Sequence, residues 1–156
     1  MQNNAELLKK DNQTTYYFDS PEDLRIQQND FFSKIWLKKG NIHDPHREEI
    51  EIKFERDRFK ELEKLFLTLG YNVDIKWFRK RNQFNWNNIT VALDHTKGYG
   101  YIIELEKMSD EENKERVYEE LKQKLNKLKI ELTPKEKFKE KFNYYKENWR
   151  KLTDES

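Results

Sequence analysis

The chain contains no cysteine. This absence excludes a disulfide framework, a thiolate zinc site and a cysteine nucleophile. No apolar run approaches the roughly 20 residues that a membrane-spanning helix requires. The first residues also lack the basic and then apolar layout of a secretory signal peptide. We therefore expect a soluble protein of the cytoplasm.

An excess of one sign of charge is also missing, since 31 Lys and Arg residues face 30 Asp and Glu residues for a net charge of +1. Such a balance gives no global bias toward nucleic acid or a membrane surface. Charged residues make up 39% of the chain, which alone would favour disorder, but the aromatic content of 14% argues for a packed core. The length suits one domain, which we expect over residues 1–156.

Charged and apolar residues alternate with a period of two from Arg47 to Phe54. This pattern predicts a β-strand with Glu49 and Glu51 on one face and apolar residues on the other. Strands with the same alternation place further charges on one face, namely Arg25, Lys39, Arg79, Arg81, Glu104 and Glu106. Each charged face alone is most simply a solvated surface. Together, faces with charges of both signs indicate a polar interior that an anion and metal ions can fill.

The other patterns predict the order of the elements. Residues 1–12 are polar, and we expect a frayed end or a short helical lead-in there. We expect strands over 14–19, 24–28, 31–39, 48–55, 74–84, 89–94 and 101–107, and helices over 57–69, from Ser109 to 128, and from Thr133 to 152. The predicted fold class is α+β, a mainly antiparallel barrel, closed or open, that amphipathic helices cover. Strands and one helix occupy residues 13–107, and two helices occupy 109–152.

Several segments, in this order, resemble the CYTH superfamily of triphosphate tunnel metalloenzymes, which includes class IV adenylyl cyclases and thiamine triphosphatases. The most specific segment is Asp94, followed by Gly98 and Gly100 and then by Glu104-Leu105-Glu106. The other segments are 13–19, 23–26, 37–40, 47–51 and 79–84. The resemblance therefore covers roughly residues 13–107.

The resemblance implies an eight-stranded antiparallel tunnel in which metal-dependent chemistry hydrolyses triphosphates or cyclises ATP. It implies phosphate-binding roles for Arg25, Lys39, Arg79 and Arg81, and cationic side chains suit a triphosphate because they pair with its oxygens. It also implies that Glu104 and Glu106 hold Mg²⁺ or Mn²⁺, which prefer carboxylate and phosphate oxygens. Glu49 and Glu51 resemble a second, catalytic acidic set that holds another metal ion or orients a water molecule.

One departure from the family concerns its first strand, which carries a Glu-x-Glu-x-Lys signature. Residues 1–13 do not contain this spacing, so we expect the first strand and first helix to be absent and the barrel to have an open edge. An unpaired edge invites pairing with another chain, and a homodimer is one expected consequence. A non-catalytic domain that binds a nucleotide or polyphosphate is the alternative function.

Two further interpretations stay open from the sequence. Trp36, Trp77 and Trp86 could stack on bases of a nucleic acid, although the near-zero net charge disfavours this. A structural or interaction domain without phosphate chemistry is the other. The histidines His43, His46 and His95 lack metal-ligand spacing and are expected on the surface, and the stripe from Phe138 to Trp149 is expected to pack in the core.

Overall fold

The computed structural model describes residues 5–40 and 48–154. Within these residues, seven strands form one antiparallel sheet: β1 (Glu6–Phe18), β2 (Asp23–Gln28), β3 (Ser33–Lys38), β4 (Glu49–Phe54), β5 (Val73–Trp86), β6 (Ile89–Thr96) and β7 (Gly100–Glu106). Three helices accompany it: α1 (Phe59–Thr68), α2 (Lys114–Lys127) and α3 (Lys135–Leu152). The strand order is β4-β3-β2-β1-β5-β6-β7, without pairing between β4 and β7, so the sheet is open. The predicted α+β fold with an open antiparallel barrel is confirmed.

Strand β1 begins earlier than the sequence predicts. We expected a frayed end or a helical lead-in over residues 1–12, but residues 6–12 belong to β1, and for them this expectation is wrong. They pair with the far half of β5, from Glu6 opposite Asn85 to Asn12 opposite Lys80. The long β5 supplies backbone partners for this polar segment, and tertiary pairing outweighs its weak local strand propensity. Residues 1–4 lie outside the described part of the chain.

The alternation of side chains gives the sheet two different faces. Strand pairing places Arg25 opposite Trp36 and Arg81 opposite Asp94. Continuing the register to β7 places Glu104 on the same side, and we call this side the charged face. The opposite, apolar face carries residues such as Ile26 and Val91, both fully buried.

Helices α1 and α2 cover the apolar face. Phe59, Leu62 and Phe66 of α1 pack against the β1 and β2 region, where Tyr16 and Ile26 are buried. On the other half of the sheet, the side chains of α2 pack against β6 and β7. This is the arrangement that the amphipathic patterns of the two helices predict.

Helix α3 takes a different position. We expected all three helices to cover apolar strand faces, but α3 packs against one end of the charged face, on Ile75 and Trp77 of β5. Its indole Trp149 donates from Nε1 to the carbonyl oxygen of Asp74 at 2.8 Å. Because Phe142, Tyr145 and Trp149 are buried there, the expectation that this stripe is core packing is confirmed.

The turn between β5 and β6 follows the sequence closely. Asn87 and Asn88 have positive φ values of 51° and 64°, and such a pair forms the short turn that matches the twist of a hairpin. The helix starts differ slightly from expectation, since α3 begins one residue after Pro134 and Asp110 rather than Ser109 caps the turn before α2. Within the described residues, no helix is long and apolar enough to cross a membrane.

Candidate functional site

A cleft of about 360 Å³ opens on the charged face beside α3. Its walls come from five strands of the sheet, β1, β2, β3, β5 and β7, and from the helix. The lining residues are Thr15, Tyr17, Arg25, Trp36, Lys38, Trp77, Arg79, Arg81, Tyr99, Ile102, Glu104, Phe138 and Phe142. The structure therefore brings together Arg25, Arg79, Arg81 and Glu104 among the residues singled out from the sequence. Aromatic rings close the end toward α3, and the arginines form the polar part.

Arg81 is fixed by a carboxylate on the neighbouring strand. Its Nε and Nη2 atoms donate to the two oxygens of Asp94 at 2.8 and 2.7 Å. The Asp94 residue is only 2% exposed. Burial opposes the charge of Arg81, but this bidentate partner and Glu104 at 3.6 Å keep the pKa of Arg81 above its usual value. Arg81 is therefore a positioned and largely neutralised cation.

Arg79 is the least neutralised cation of the cleft. It donates two hydrogen bonds to the amide oxygen of Gln13, with Nε at 2.8 Å, and an amide carries no compensating charge. The Asp94 carboxylate lies 3.6 Å away but already accepts both bonds from Arg81. Burial and the neighbouring Arg81 lower the pKa of Arg79. A guanidinium in this situation is stabilised by any anion that enters the cleft.

Arg25 forms its main ion pair within its own strand. Nε and Nη2 donate to the two oxygens of Asp23 at 2.8 and 2.7 Å, and the guanidinium lies over the Tyr17 ring at 4.2 Å. Burial opposes the charge, yet Tyr17 and Asp23 hold the pKa of Arg25 above its usual value. Arg25 also lines the cleft, so its guanidinium is placed to contact an anion that enters there.

The lysine that β3 contributes to the cleft is Lys38. Lys39, which resembles the family's phosphate-binding position, lies just beyond β3, is exposed, and pairs with Glu48 at 3.1 Å. Because side chains alternate along a strand, Lys34, Trp36 and Lys38 share the charged face, and Lys39 has the opposite parity. The structure therefore does not bring Lys39 to the arginines.

The two acidic pairs lie at opposite edges of the open sheet. Glu49 and Glu51 are on β4, and Glu104 and Glu106 are on β7. Glu49 accepts a hydrogen bond from Trp36 Nε1 at 3.2 Å and lies 3.4 Å from Lys38 Nζ. Glu51 lies 3.5 Å from Lys34 Nζ, and burial lowers the pKa of that lysine. Of the four glutamates, only Glu104 lines the cleft directly.

The chemistry of the donors bears on the expected metal ion. Over residues 5–40 and 48–154, no three His, Cys, Asp or Glu side chains gather as a ready-made metal site. Mg²⁺ commonly binds through one or two carboxylates and completes its shell with phosphate oxygens and water. Glu104, 3.6 Å from Arg81, and Glu106, two residues further along the same strand face, fit this mode. They do not form an all-protein cage.

Two residues that position the arginines of the cleft were not singled out from the sequence, Asp94 and Gln13. Asp94 was quoted only as part of a motif, yet it holds Arg81 and approaches Arg79. Asp94 lies opposite Arg81 across the β5–β6 hairpin. The position of the Asn-Asn turn sets this register, so the contact between the two residues could have been predicted from the sequence. Gln13 had no such signal, since its partner Arg79 is on β5, which only the tertiary fold brings next to β1.

The tryptophans do not form a stacking surface for a nucleic acid. Trp77 and Trp86 are buried in different clusters on the two faces of the sheet, and only Trp36 is partly accessible. The ammonium of Lys38 makes a cation–π contact with the Trp36 ring, with Nζ 4.0 Å from the ring centroid. His95 is an exposed residue that stacks on Tyr101, as expected for a surface histidine, and His43 and His46 lie outside the described residues.

Comparisons with known proteins agree with this geometry. The family model described as the CYTH domain matches residues 2–142 of the chain. No curated protein matches the chain in sequence.

Solved structures with the same fold come from archaea and bacteria. A protein from Pyrococcus horikoshii OT3 is 24% identical, with a TM-score of 0.67 and coverage of 81% of this chain and 80% of the other. A conserved hypothetical protein from Pyrococcus furiosus is also 24% identical, with a TM-score of 0.63 and coverage of 83% and 80%. A protein from Vibrio parahaemolyticus named "putative adenylate cyclase" is 16% identical, with a TM-score of 0.63 and coverage of 87% and 84%. At these identities the likeness shows the fold alone.

Proposed function

Because the chain belongs to the CYTH domain family, we propose that its charged cleft binds the triphosphate group of a nucleotide or related compound and processes it with a divalent cation. The observation that carries this proposal is the geometry around Arg79, which donates to the uncharged amide of Gln13 while the nearby Asp94 is already bidentate to Arg81. A buried cation without an equivalent counter-charge is costly, and a phosphate oxygen entering the cleft would remove that cost.

The phosphate chain would be held by cations on three strands. Arg79 would provide the strongest attraction, and Arg25 and Lys38 line the same cleft. Arginine favours such contacts because its planar fork matches two phosphate oxygens at once. Asp94 and Asp23 would act as positioning residues, since each fixes the orientation of an arginine by a bidentate bond.

Glu104 and Glu106 would hold Mg²⁺ or Mn²⁺ together with the bound phosphates. When bound there, the ion would neutralise charge on the phosphate oxygens and polarise the phosphorus that reacts. On the opposite edge, Glu49 and Glu51 are the candidates for orienting an attacking water or hydroxyl group. A water nucleophile would give hydrolysis, and a ribose hydroxyl of ATP would give cyclisation.

A specific observation also favours a second candidate, a non-catalytic binder of nucleotides or polyphosphate. The acidic pairs lie on opposite edges of the sheet, and no three acidic groups gather within the described residues. A domain with this arrangement can hold a phosphate chain through its arginines without the carboxylates acting on one phosphorus.

A turnover panel separates the two candidates. The protein is incubated with tripolyphosphate, thiamine triphosphate or ATP, with Mg²⁺ and with Mn²⁺, and phosphate and cyclic AMP are both measured. We expect product that disappears in Glu104→Gln and persists in the matched control Glu119→Gln, an exposed glutamate of α2. Activity that survives Glu104→Gln contradicts the assigned metal role. Ligand-dependent thermal stabilisation without any product supports the binder instead, and neither stabilisation nor product overturns both.

A further inference from the structure

Strand β4 presents an unpaired backbone edge. It pairs with β3 on one side, and within the described part of the chain no strand lies on its other side. The amide of Lys39 donates to the carbonyl oxygen of Glu48 at 2.9 Å, and these residues are opposite each other in the β3–β4 register. Hydrogen-bonded pairs alternate in antiparallel strands. The backbone groups of Glu49, Glu51 and Lys53 are therefore directed toward the free edge.

The same strand exposes an apolar stripe. Ile50, Ile52 and Phe54 lie on the apolar face and are 46%, 51% and 37% exposed. Helix α1 covers the neighbouring strands β2 and β3 on this face, but all six residues of β4 are exposed. A free edge with three exposed apolar side chains is a template for pairing with another strand.

The charges on the two edge strands, β4 and β7, indicate which of them is the better pairing partner for β4. Strand β7, the other edge, carries Glu104 and Glu106 and no cation on the charged face, so pairing β7 with β4 would offer only Lys53 as an opposite charge, against Glu49 and Glu51 of like charge. Pairing β7 with a second β7 would also bring like charges together. Strand β4 carries both signs on its charged face, and like charges directly opposite each other are destabilising.

Register then restricts the pairing of β4 with a second β4. Because the outward backbone groups belong to odd-numbered residues, antiparallel pairing must place odd residues opposite odd residues. With Ile52 opposite its own copy, Glu51 faces Lys53 of the partner subunit twice, and Ile50 faces Phe54 of the partner subunit. Glu49 would point toward Glu55 of the partner subunit, but Glu55 is beyond the end of β4 and outside the paired strand. Moving the centre to Glu51 opposes Glu51 to itself, and moving it to Lys53 opposes two lysines.

We infer that a second copy of this chain pairs with β4 in an antiparallel arrangement centred on Ile52, so that two sheets become one continuous sheet. The contact is isologous, with the same patch used by both copies. It would place Lys53 of the partner subunit beside Glu51, so each copy would contribute a cation to the other's acidic edge. This inference does not depend on the proposed phosphate chemistry.

Charge exchange tests the arrangement. Sedimentation equilibrium over about 1–200 µM should show a dimer of the unchanged chain, because association makes the apparent state depend on protein concentration. Glu51→Lys and Lys53→Glu each oppose like charges twice, and each should raise the dissociation constant at least tenfold. An equimolar mixture of the two variants should recover association, since every 51–53 pair then has opposite signs. Folding of both variants is checked by circular dichroism.

A cross-link tests the register, because the chain has no native cysteine. Residues opposite each other in a non-hydrogen-bonded pair have Cα atoms about 4.5 Å apart, which a disulfide can span. Ile52→Cys should form a disulfide-linked dimer under mild oxidation. The matched control is Tyr101→Cys, an exposed residue on the other edge strand, which should stay unlinked. An unchanged chain that is monomeric over the whole range, a mixture that does not associate, or cross-linking by Tyr101→Cys alone would each overturn the inference.

Discussion

Arg81 and Asp94 face each other across the β5–β6 hairpin and share two hydrogen bonds of 2.8 and 2.7 Å. The carboxylate is almost completely buried, and it also lies 3.6 Å from Arg79. One aspartate therefore organises two cations that are adjacent on the same face of β5. The register of the hairpin therefore determines how these two arginine side chains are oriented in the cleft.

Replacement of this aspartate should destabilise the protein strongly. Asp94→Asn leaves the two arginines without their shared counter-charge, and breaking a buried ion pair typically costs about 3–5 kcal/mol. Urea unfolding should show a loss of about 3 kcal/mol, and the double variant Asp94→Asn/Arg81→Gln should recover part of it because the two changes are coupled. A loss below about 1 kcal/mol would mean that solvent already screens the pair.

Replacement of Arg79 should weaken the binding of tripolyphosphate without a large change in the stability of the protein. Arg79→Met removes a desolvated charge and its repulsion from Arg81, so the free energy of unfolding should stay within about 1 kcal/mol of the unchanged protein. The affinity for tripolyphosphate, measured by calorimetry, should fall at least about tenfold, which corresponds to about 1.4 kcal/mol. Arg58→Met is the control, since Arg58 is an exposed cation that pairs with Glu61 outside the cleft. Equal affinities of the two variants would refute the role of Arg79.

The stability of the β4 edge should depend on acid pH through Glu49. Partial burial opposes the charge of Glu49, but the hydrogen bond from Trp36 and the charge of Lys38 hold its pKa below the ordinary value of 4.5. A lowered folded-state pKa stabilises the protein above the ordinary value, and the contribution is lost as pH falls through the folded-state pKa. The difference in unfolding free energy between the unchanged protein and Glu49→Gln should therefore shrink as pH falls below 4.5. A difference that stays constant between pH 7 and pH 3 would contradict this assignment.

Local patterns were sufficient for much of the fold. The β2–β3 and β5–β6 hairpins, β4, β7 and the three helices all follow from period-two or helical spacing and turn residues. The early part of β1 could not be predicted in this way, because residues 6–12 are mostly charged or polar, show no period-two alternation, and become a strand through pairing with β5. Pairing between segments distant in sequence is a tertiary property that local propensity does not contain.

The positions of candidate site residues could be predicted where the residues belong to one strand, since spacing along a strand determines which face each side chain occupies. Arg79 and Arg81 share a face because they are two residues apart on β5, and the same holds for Glu104 and Glu106 on β7. Lys38 was missed because the motif pointed to Lys39. Ile35 and Leu37 lie on the apolar face of β3, and Lys39 has the same parity as these two residues. The alternation therefore places Lys38, and not Lys39, on the charged face. The metal role of the glutamates and the phosphate roles of the arginines stay predictions.

The close approach of α3 to the β6–β7 turn provides a test of how that helix is held. Gly98 has a φ of +77°, and a Cβ atom built on it would lie 2.8 Å from Cβ of Leu152 at the end of α3. Gly70 also has a positive φ, of +99°, but a Cβ atom there would meet no atom within 4 Å. Both Gly→Ala changes strain the backbone, typically by about 1–3 kcal/mol, but only Gly98→Ala must also displace the helix.

We therefore expect Gly98→Ala to reduce the free energy of unfolding by at least about 1 kcal/mol more than Gly70→Ala, since overpacking of a filled contact adds about 1–3 kcal/mol. Urea unfolding of the two variants measures this difference directly. Because Phe138 and Phe142 of α3 line the cleft, the displaced helix should also weaken binding of tripolyphosphate in Gly98→Ala and leave it unchanged in Gly70→Ala. Equal losses of stability in the two variants would show that the helix end yields freely, and that α3 does not fix this end of the cleft.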